Sequence, residues 1–213
     1  EEAACQGIMA GINAHLKINE KAPFILKRSE AYIGVLIDDL IGKGTNEPYR
    51  MFTSRAEFRT LLRQDNADIR LTPMSHKMGL ASLERLEKVE QKIKNVEAIK
   101  ETLNNHSIAP EEINDLLESI PSAPLQEKQK ASKIVLRPNI GLQQLIQHTD
   151  KLQAKLESFS AEDLEQAEIQ VKYQRYIEKE VEIVERMSQL EDKAIPVNFD
   201  YDKVAELSLE ALQ

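Results

Sequence analysis

Apolar residues recur at steps of three and four through much of the chain's second half, and this spacing restricts the fold more than any other feature. One stripe follows Ser82 and a second follows Ser160. A 3.6-residue period is that of an α-helix with one apolar face, and each serine is a favourable N-cap. We therefore expect two long helices, paired antiparallel in a helical bundle. Their stripes are Leu83, Leu86, Val89, Ile93, Val96, Ile99 and Leu103, and Tyr173, Ile177, Val181, Val184, Met187 and Leu190.

The stripes allow two interpretations. A stripe of this kind serves either the core of its own chain or a coiled coil with another chain. Neither persists for the three to four strict heptads that indicate a coiled coil, so we favour burial within the chain.

Composition supports a mainly α fold. The chain of 213 residues has only seven glycines and 5% aromatic residues, whereas 30% of its residues are charged. Such a composition favours helices over a sandwich, barrel or wound sheet. The net charge of −8 argues against general nucleic-acid binding, so any phosphate contact requires a local patch.

Cysteine and histidine usage excludes two kinds of site. A single cysteine, Cys5, permits no intrachain disulfide, and the four histidines lack metal-ligand spacing, so no metal site is expected. Cys5 is either a nucleophile near a helix start or, as we favour, a small core residue. No apolar run is long enough to span a bilayer. We expect a soluble, cytoplasmic protein without membrane contact.

Shorter elements are indicated by caps and breakers. Residues 1–17 predict a helix rich in small residues, which needs a surface to lie against, and residues 31–41 predict a buried helix, although their periodicity also permits a strand. Further helices are predicted after Thr72 with Pro73 at the first position, after Pro110, at 142–147 and after Asp200. Ser208 resembles an N-cap, but too few residues follow it to complete a helix. Residues 121–135 are predicted to be a polar loop.

Asp38 and Asp39 form a pair of adjacent carboxylates. Paired carboxylates serve general acid/base catalysis, but adjacent residues point in different directions. A role in a turn or in solvating the end of a helix is therefore favoured.

Residues 50–63 concentrate positive charge. They contain four arginines and one acid, a local net charge of +3 that leaves −11 for the rest of the chain. If residues 54–63 are helical, Arg55, Arg59 and Arg63 lie one turn apart on one face. Arginine binds phosphate bidentately and stacks on unpaired bases, so this ladder predicts an RNA-binding surface. Aromatic residues for stacking lie nearby, at Tyr49, Phe52 and Phe58.

Nearby acids offer a second interpretation of the same arginines. A salt-bridge network within the protein could use Glu47, Glu57, Asp65 and Asp68. Spacing alone leaves the two interpretations open. Within this choice, Arg59 is the candidate for pairing with Glu57 or Asp65, and Arg55 for reaching outward.

Residues 47–72 strongly resemble a family signature. They read EPYRMFTSRAEFR at 47–59 and LLRQDNADIRLT at 61–72, and further matching segments are YIGVLIDDL at 32–40, EEAACQGIMAGINA at 1–14 and IQVKYQRYI at 169–177. The order and spacing are similar to those of the glucose-inhibited division protein A family, the tRNA uridine 5-carboxymethylaminomethyl modification enzymes. The resemblance runs along the whole chain.

The resemblance implies an activity, cofactors and partners. Family members use FAD and NADH, form homodimers, and work with a partner GTPase to modify carbon 5 of the tRNA wobble uridine. Residues 1–80 would end an FAD-binding domain with Gln6 and Gly7 touching the flavin, and residues 81–213 would be a helical domain for tRNA and GTPase, truncated at its end. The candidate nucleic-acid-binding residues are Arg50, Arg55, Arg59, Arg63 and Arg70.

The same resemblance limits what this stretch is expected to do alone. The family's glycine-rich dinucleotide loop and catalytic cysteines would precede Glu1, so the chain is expected to be a piece of a longer enzyme and not active by itself. The alternatives are a non-catalytic helical interaction module with structural arginines and an unrelated helical scaffold.

Overall fold

The computed structural model describes residues 1–43, 49–191 and 194. The described chain is mainly α-helical, as its composition predicts. Its helices are α1 (Glu2–Ile18), α2 (Tyr32–Lys43), α3 (Ala67–Lys77), α4 (Leu83–Asn105), α5 (Pro110–Ser119), α6 (Ala131–Val135), α7 (Leu142–Gln147), α8 (Asp150–Leu156) and α9 (Ala161–Glu191). Two short strands, β1 (Ser107–Ile108) and β2 (Gln129–Lys130), pair antiparallel. The predicted helix after Asp200 and the N-cap at Ser208 lie outside the described residues.

The backbone divides into two compact units, Glu1–Glu180 and Val181–Gln213. A domain boundary near residue 80 remains an expectation. In the first unit, α1 packs on α2 around Met9, Leu26 and Ala31. The helix predicted at 31–41 is confirmed as α2. Its Gly34 faces the preceding chain so closely that a Cβ atom there would lie 2.2 Å from the carbonyl oxygen of Lys27.

One larger core fills the helical part from α4 onward. It joins α4, α5, α6, α7, α8 and the first third of α9. Fully buried members include Ile99, Leu117, Ile134 and Leu145. The N-terminal signals predicted for three of these helices are confirmed: the Ser82 hydroxyl accepts from the Arg85 amide, Pro110 begins α5, and the Ser160 hydroxyl accepts from the Asp163 amide.

Residues 121–135 are not wholly a loop, contrary to prediction. β2 pairs with β1, and α6 follows directly, with Ala131, Ile134 and Val135 buried. The lysines and glutamines around these apolar residues gave the segment its polar appearance. One turn of helix is long enough to place the three apolar side chains in the core.

The helix predicted to begin at Pro73, with Thr72 as its cap, begins six residues earlier. α3 starts at Ala67, and Thr72 is a buried interior residue. Pro73 therefore lies inside the helix, where it removes one main-chain donor, and it does not mark the helix start. Gly79, predicted to end this helix, follows it with a positive φ of 78°.

The two long helices run in the same direction where they touch, so the antiparallel prediction is wrong. The Lys92 amine bonds the Glu162 carboxylate, and the Lys100 amine bonds the Gln170 side chain eight residues further along both helices. The main neighbours of α4 are α3 and α6. A parallel arrangement arises because α5 to α8 return the chain between them.

The stripe on α9 is only partly buried, and the prediction of a core role fails beyond its first third. In the first unit, Ala167 and Val171 are buried, but Tyr173 is 47% exposed. In the described part of the second unit, Val181, Met187 and Leu190 are exposed. On α4 the prediction holds at Val89 and at the positions from Val96 to Leu103, whereas Leu83 is exposed.

Candidate nucleic-acid interface

The segment from Tyr49 to Asn66 is mostly irregular, with single 3₁₀ turns at Thr53–Arg55 and Gln64–Asn66 and a further turn after Phe58. The predicted helix over 54–63 is absent, so Arg55, Arg59 and Arg63 do not form a one-faced ladder. Ala56 and Phe58 are both buried, two residues apart, which is the period of extended backbone. In addition, the main-chain carbonyl of Arg55 accepts a hydrogen bond from the guanidinium of Arg28. This bond comes from a side chain and is not part of a helix.

Arg28 organises this segment, and the sequence analysis missed it. Its Nη1 donates to Asp38 and Asp39 at 2.8 Å each, and its Nη2 and Nε donate to the two oxygens of Glu57 at 2.7 and 3.2 Å. The hydrogen bond to Glu57 contributes most to raising the pKa of Arg28. The signal available in the sequence was a lone arginine followed ten residues later by two acids.

Asp39 is a buried anion, contrary to the predicted role in a turn or in solvating a helix end. Its side chain is 1% exposed and accepts hydrogen bonds from Arg28, Lys43 and Tyr49. Burial alone would raise its pKa, but these three bonds hold the pKa of Asp39 well below its usual range. Arg55 lies 3.6 Å away as a further, looser ion-pair partner of Asp39.

Arg55 stacks on Tyr49. Its guanidinium carbon lies 4.7 Å from the centre of the tyrosine ring, within cation–π distance. Burial and the hydrogen bond to Asp39 raise the pKa of Tyr49 to about 12, so the ring stays neutral and its hydroxyl remains a donor. The Arg55 side chain keeps 35% of its surface exposed. It therefore presents one stacked cation to solvent.

Arg63 and Arg70 point into the protein. Arg63 bonds Asp65 at 3.0 Å and the carbonyl of Thr60. Arg70 donates to the side chain of Asn66 at 2.8 Å and to the carbonyls of Arg63 and Glu30. Burial is the first cause of the lowered pKa of Arg70. Both arginines act here as braces between backbone segments.

Arg50 and Arg59 point outward. Arg50 is 77% exposed and lies 3.6 Å from Glu2, a loose surface pair. Arg59 is exposed and, among the residues that the structure describes, forms no ion pair. The suggested pairing of Arg59 with Glu57 or Asp65 is wrong, because Arg28 takes Glu57 and Arg63 takes Asp65. Two cations therefore face solvent on a chain of strongly negative net charge.

The turn that follows Arg59 is hydrogen-bonded to a residue of α9. The carboxylate of Glu180, on α9, accepts from the amides of Thr60 at 3.4 Å and Leu61 at 3.1 Å. Phe58 is buried beneath this turn. The position of Arg59 thus depends on both the local core and a contact 120 residues away in sequence.

Gln6 and Gly7 lie on an exposed side of α1. A Cβ atom at Gly7 would meet nothing within 4 Å, so the described chain itself gives no reason for glycine there. Only Met9 of α1 is buried, and Ile8 is 53% exposed. Farther along the helix, an apolar recess of about 290 Å³ is lined by Ile8, Gly11, Ile12, His15, Leu16, Met78 and Leu80. Much of α1 is therefore uncovered.

The described residues hold neither a metal-binding cluster nor a membrane-spanning helix. The described part of the chain contains no group of three or more His, Cys, Asp or Glu side chains placed to hold a metal ion. Nor does any helix among those residues have the length and apolarity needed to cross a membrane.

Comparison with known proteins gives the class of the helical part. A family model described as the C-terminal helical domain of the tRNA modifying enzyme MnmG/GidA matches residues 83–181. These residues run from the first residue of α4 into α9. The fold and this match define a helical domain of a tRNA-modifying enzyme family.

The similarity to the MnmG/GidA family extends over the whole chain. It is 54% identical to the tRNA uridine 5-carboxymethylaminomethyl modification enzyme MnmG of Flavobacterium johnsoniae, covering 100% of this chain and 34% of the relative. It is 51% identical to the MnmG of Cytophaga hutchinsonii, and that match covers 99% of this chain and 34% of the relative. The structure of Aquifex aeolicus GidA in its form II crystal matches with a TM-score of 0.71 at 37% identity, over 98% of this chain and 32% of that one. The chain thus spans about a third of its relatives' length.

Proposed function

We propose that this chain is part of an FAD-dependent enzyme that, with a partner GTPase, adds the carboxymethylaminomethyl group to carbon 5 of the tRNA wobble uridine. Within it, this stretch supplies contacts to tRNA and to the partner. The names of the relatives support the reaction, and their 46–54% identity extends over the whole chain. The cofactor, the partner and the wobble position rest on the family resemblance of residues 1–14 and 47–72.

The outward position of Arg59 carries the RNA part of the proposal. An exposed guanidinium that forms no ion pair with the described residues can donate two parallel hydrogen bonds to a phosphate. Arg50 adds a second exposed cation, and Arg55 adds a third beside an aromatic ring. Cations next to an aromatic surface are typical of sites that bind single-stranded RNA, where bases are unpaired and can stack.

Arg63 and Arg70 have a different role in this proposal. Their hydrogen bonds fix the backbone that carries the outward arginines. They belong to the RNA site as positioning residues, whereas Arg50, Arg55 and Arg59 touch the nucleic acid.

Gln6 and Gly7 fit a flavin contact. Both are exposed, and the open space at Gly7 lets a planar group approach the helix backbone closely. When bound, the flavin supplies redox chemistry, with NADH as reductant. The Gln6 side chain offers one acceptor and two donors for orienting such a ring.

A protein-binding role for α9 has its own support. Tyr173 and Tyr176 are exposed and lie 6.2 Å apart, ring centre to ring centre. Aromatic residues are enriched in protein interfaces. This surface suits the partner GTPase or the second subunit of a homodimer, and it also suits the alternative of a non-catalytic interaction module with structural arginines.

Photocrosslinking separates the two functions. A photoreactive amino acid at Ser54, which is exposed beside Arg55, is expected to crosslink tRNA in the full-length enzyme. The same group at Lys88, an exposed site on α4, serves as the matched control. Equal crosslinking from both positions, or none from Ser54, contradicts the proposed RNA contact and favours the interaction module.

A further inference from the structure

A histidine at the end of α4 lies within a cluster of lysines. His106 is 8% exposed, and its carbonyl accepts from the Ala131 amide at 2.9 Å. The next residue, Ser107, pairs with Lys130 across the two-stranded sheet. Lys130 therefore lies beside His106, and its amine bonds the carbonyl of Asn105 at 3.0 Å.

Two more lysines come from α8. Lys151 and Lys155 are exposed and lie four residues apart, which places them on one face of that helix. The adjoining face of α8 packs Leu152 and Leu156 into the same core as Leu103 and Ile108, which lie close to His106 in sequence. Packing thus brings both lysines of α8 to the end of α4.

The electrostatic surroundings of His106 agree with this placement. Burial lowers its pKa, and Lys155, Lys151 and Lys130 lower it further, whereas Glu112 acts in the opposite direction. Glu112 is already engaged, because its carboxylate accepts from the Ala109 amide at 2.8 Å. Positive charge therefore dominates around this histidine.

The cluster lacks counterions. Within the described part of the chain, none of the three lysines forms a salt bridge, although the sequence holds 36 acids. The Nε2 atom of His106 is buried and has no hydrogen-bond partner among the residues that the structure describes. Like charges at four-residue spacing repel, and a buried polar atom without a partner is destabilising. Both features are relieved if an anion binds here.

We propose that Lys130, Lys151 and Lys155 form, around His106, a phosphate-binding site that takes the backbone of the bound RNA. Lysine is a point charge on a flexible stem, suited to phosphates and indifferent to sequence. The three amines come from two elements and stand on the surface, an arrangement that fits successive phosphates of a polyanion better than an enclosed small molecule. The identity of the polyanion rests on the proposed action on tRNA.

The test measures tRNA affinity of the full-length enzyme against salt concentration. The variant changes Lys130, Lys151 and Lys155 together to Gln. The control changes Lys88, Lys94 and Lys179 to Gln, which removes the same charge from other exposed positions. We expect the variant to lose about tenfold in affinity near 0.1 M salt, with its salt slope reduced by about two to three. A loss no greater than in the control overturns the proposal.

A pH profile gives a second readout that a merely structural role does not move. Bound phosphate favours the protonated imidazole, so tRNA affinity is expected to rise as the pH falls from 8 to 6, and His106→Gln is expected to remove part of that rise. If the pH dependence of tRNA affinity is the same in His106→Gln as in the wild type, His106 does not contribute to the phosphate site. Intact tRNA binding with weakened GTPase binding in the lysine variant assigns the cluster to an acidic protein surface and overturns the RNA site.

Failure of the lysine site can be distinguished from failure of the proposed arginine site. Loss of tRNA affinity in the lysine variant, with none on changing Arg50 and Arg59, sinks the arginine contact and keeps the lysine site. The reverse pattern keeps the proposed function and sinks this inference.

Discussion

The guanidinium of Arg28 donates a 2.8 Å hydrogen bond to the buried carboxylate of Asp39. Through its other nitrogens, the same guanidinium holds Glu57 and the carbonyl of Arg55. One inward arginine therefore occupies Glu57, an acid two residues from Arg59, and it fixes the backbone at Arg55.

Replacing Arg28 by Met is expected to loosen the arginine segment. The change leaves Asp39 buried with one strong partner fewer, and breaking such a pair costs about 3 kcal/mol or more. Faster amide hydrogen exchange over residues 49–62 of the full-length protein would report it. Arg28→Lys keeps the positive charge but loses the planar guanidinium with its several donors, so this variant should retain only part of the wild-type protection from exchange. Unchanged exchange in Arg28→Met would contradict this role.

Asp39 also predicts a pH dependence. Its folded-state pKa is held below the ordinary value of about 3.9, so its stabilising contribution is complete above that value and is lost as the pH falls below it. Compared with Asp39→Asn, the wild-type segment should be better protected at pH 6, and the difference should shrink towards pH 3. Hydrogen exchange corrected for intrinsic rates measures this. A difference that grows on acidification would refute the assignment.

Gly34 predicts a stability contrast within one helix. A methyl group there would lie 2.2 Å from the carbonyl oxygen of Lys27, so Gly34→Ala must push α2 away from the backbone segment that contains Lys27. We expect a loss of about 2 kcal/mol or more, seen as a lower unfolding temperature of the full-length protein. Gly42→Ala, in open space on the same helix, is the control and should be neutral or slightly stabilising. Similar effects from both changes would show that the close approach is unimportant.

Much of the helical fold could be predicted because helix signals are local. The Ser82 and Ser160 caps, Pro110 and the apolar period of α4 each act within a few residues. The errors came from long-range packing. Neither the parallel course of α4 and α9 nor the helix at Ala131–Val135 has a signature in a short window.

The candidate site was predictable as a segment but not as a geometry. Charge concentration pointed to residues 50–63, yet which arginines face outward depends on Arg28, 27 residues before Arg55, and on Glu180, 119 residues after Leu61. No spacing rule joins residues so far apart.

Glu180 is predicted to position Arg59. Removing its carboxylate in Glu180→Ala frees the amides of Thr60 and Leu61 and lets the turn move. We expect tRNA affinity of the full-length enzyme to fall about threefold, with increased hydrogen exchange at residues 58–62. Glu178→Ala, at an exposed position on the same helix, is the control. Weaker binding without greater exchange would argue against a positioning role.

The most direct test of the central claim compares outward and inward arginines by the salt dependence of tRNA binding. In the full-length enzyme, Arg50→Ala and Arg59→Ala should each weaken binding and lower the salt slope by about one, as loss of a phosphate contact does. Arg63→Ala should mainly destabilise the segment and leave the slope of the folded protein nearly unchanged. Unchanged affinity and slope for both Arg50 and Arg59 would contradict the account.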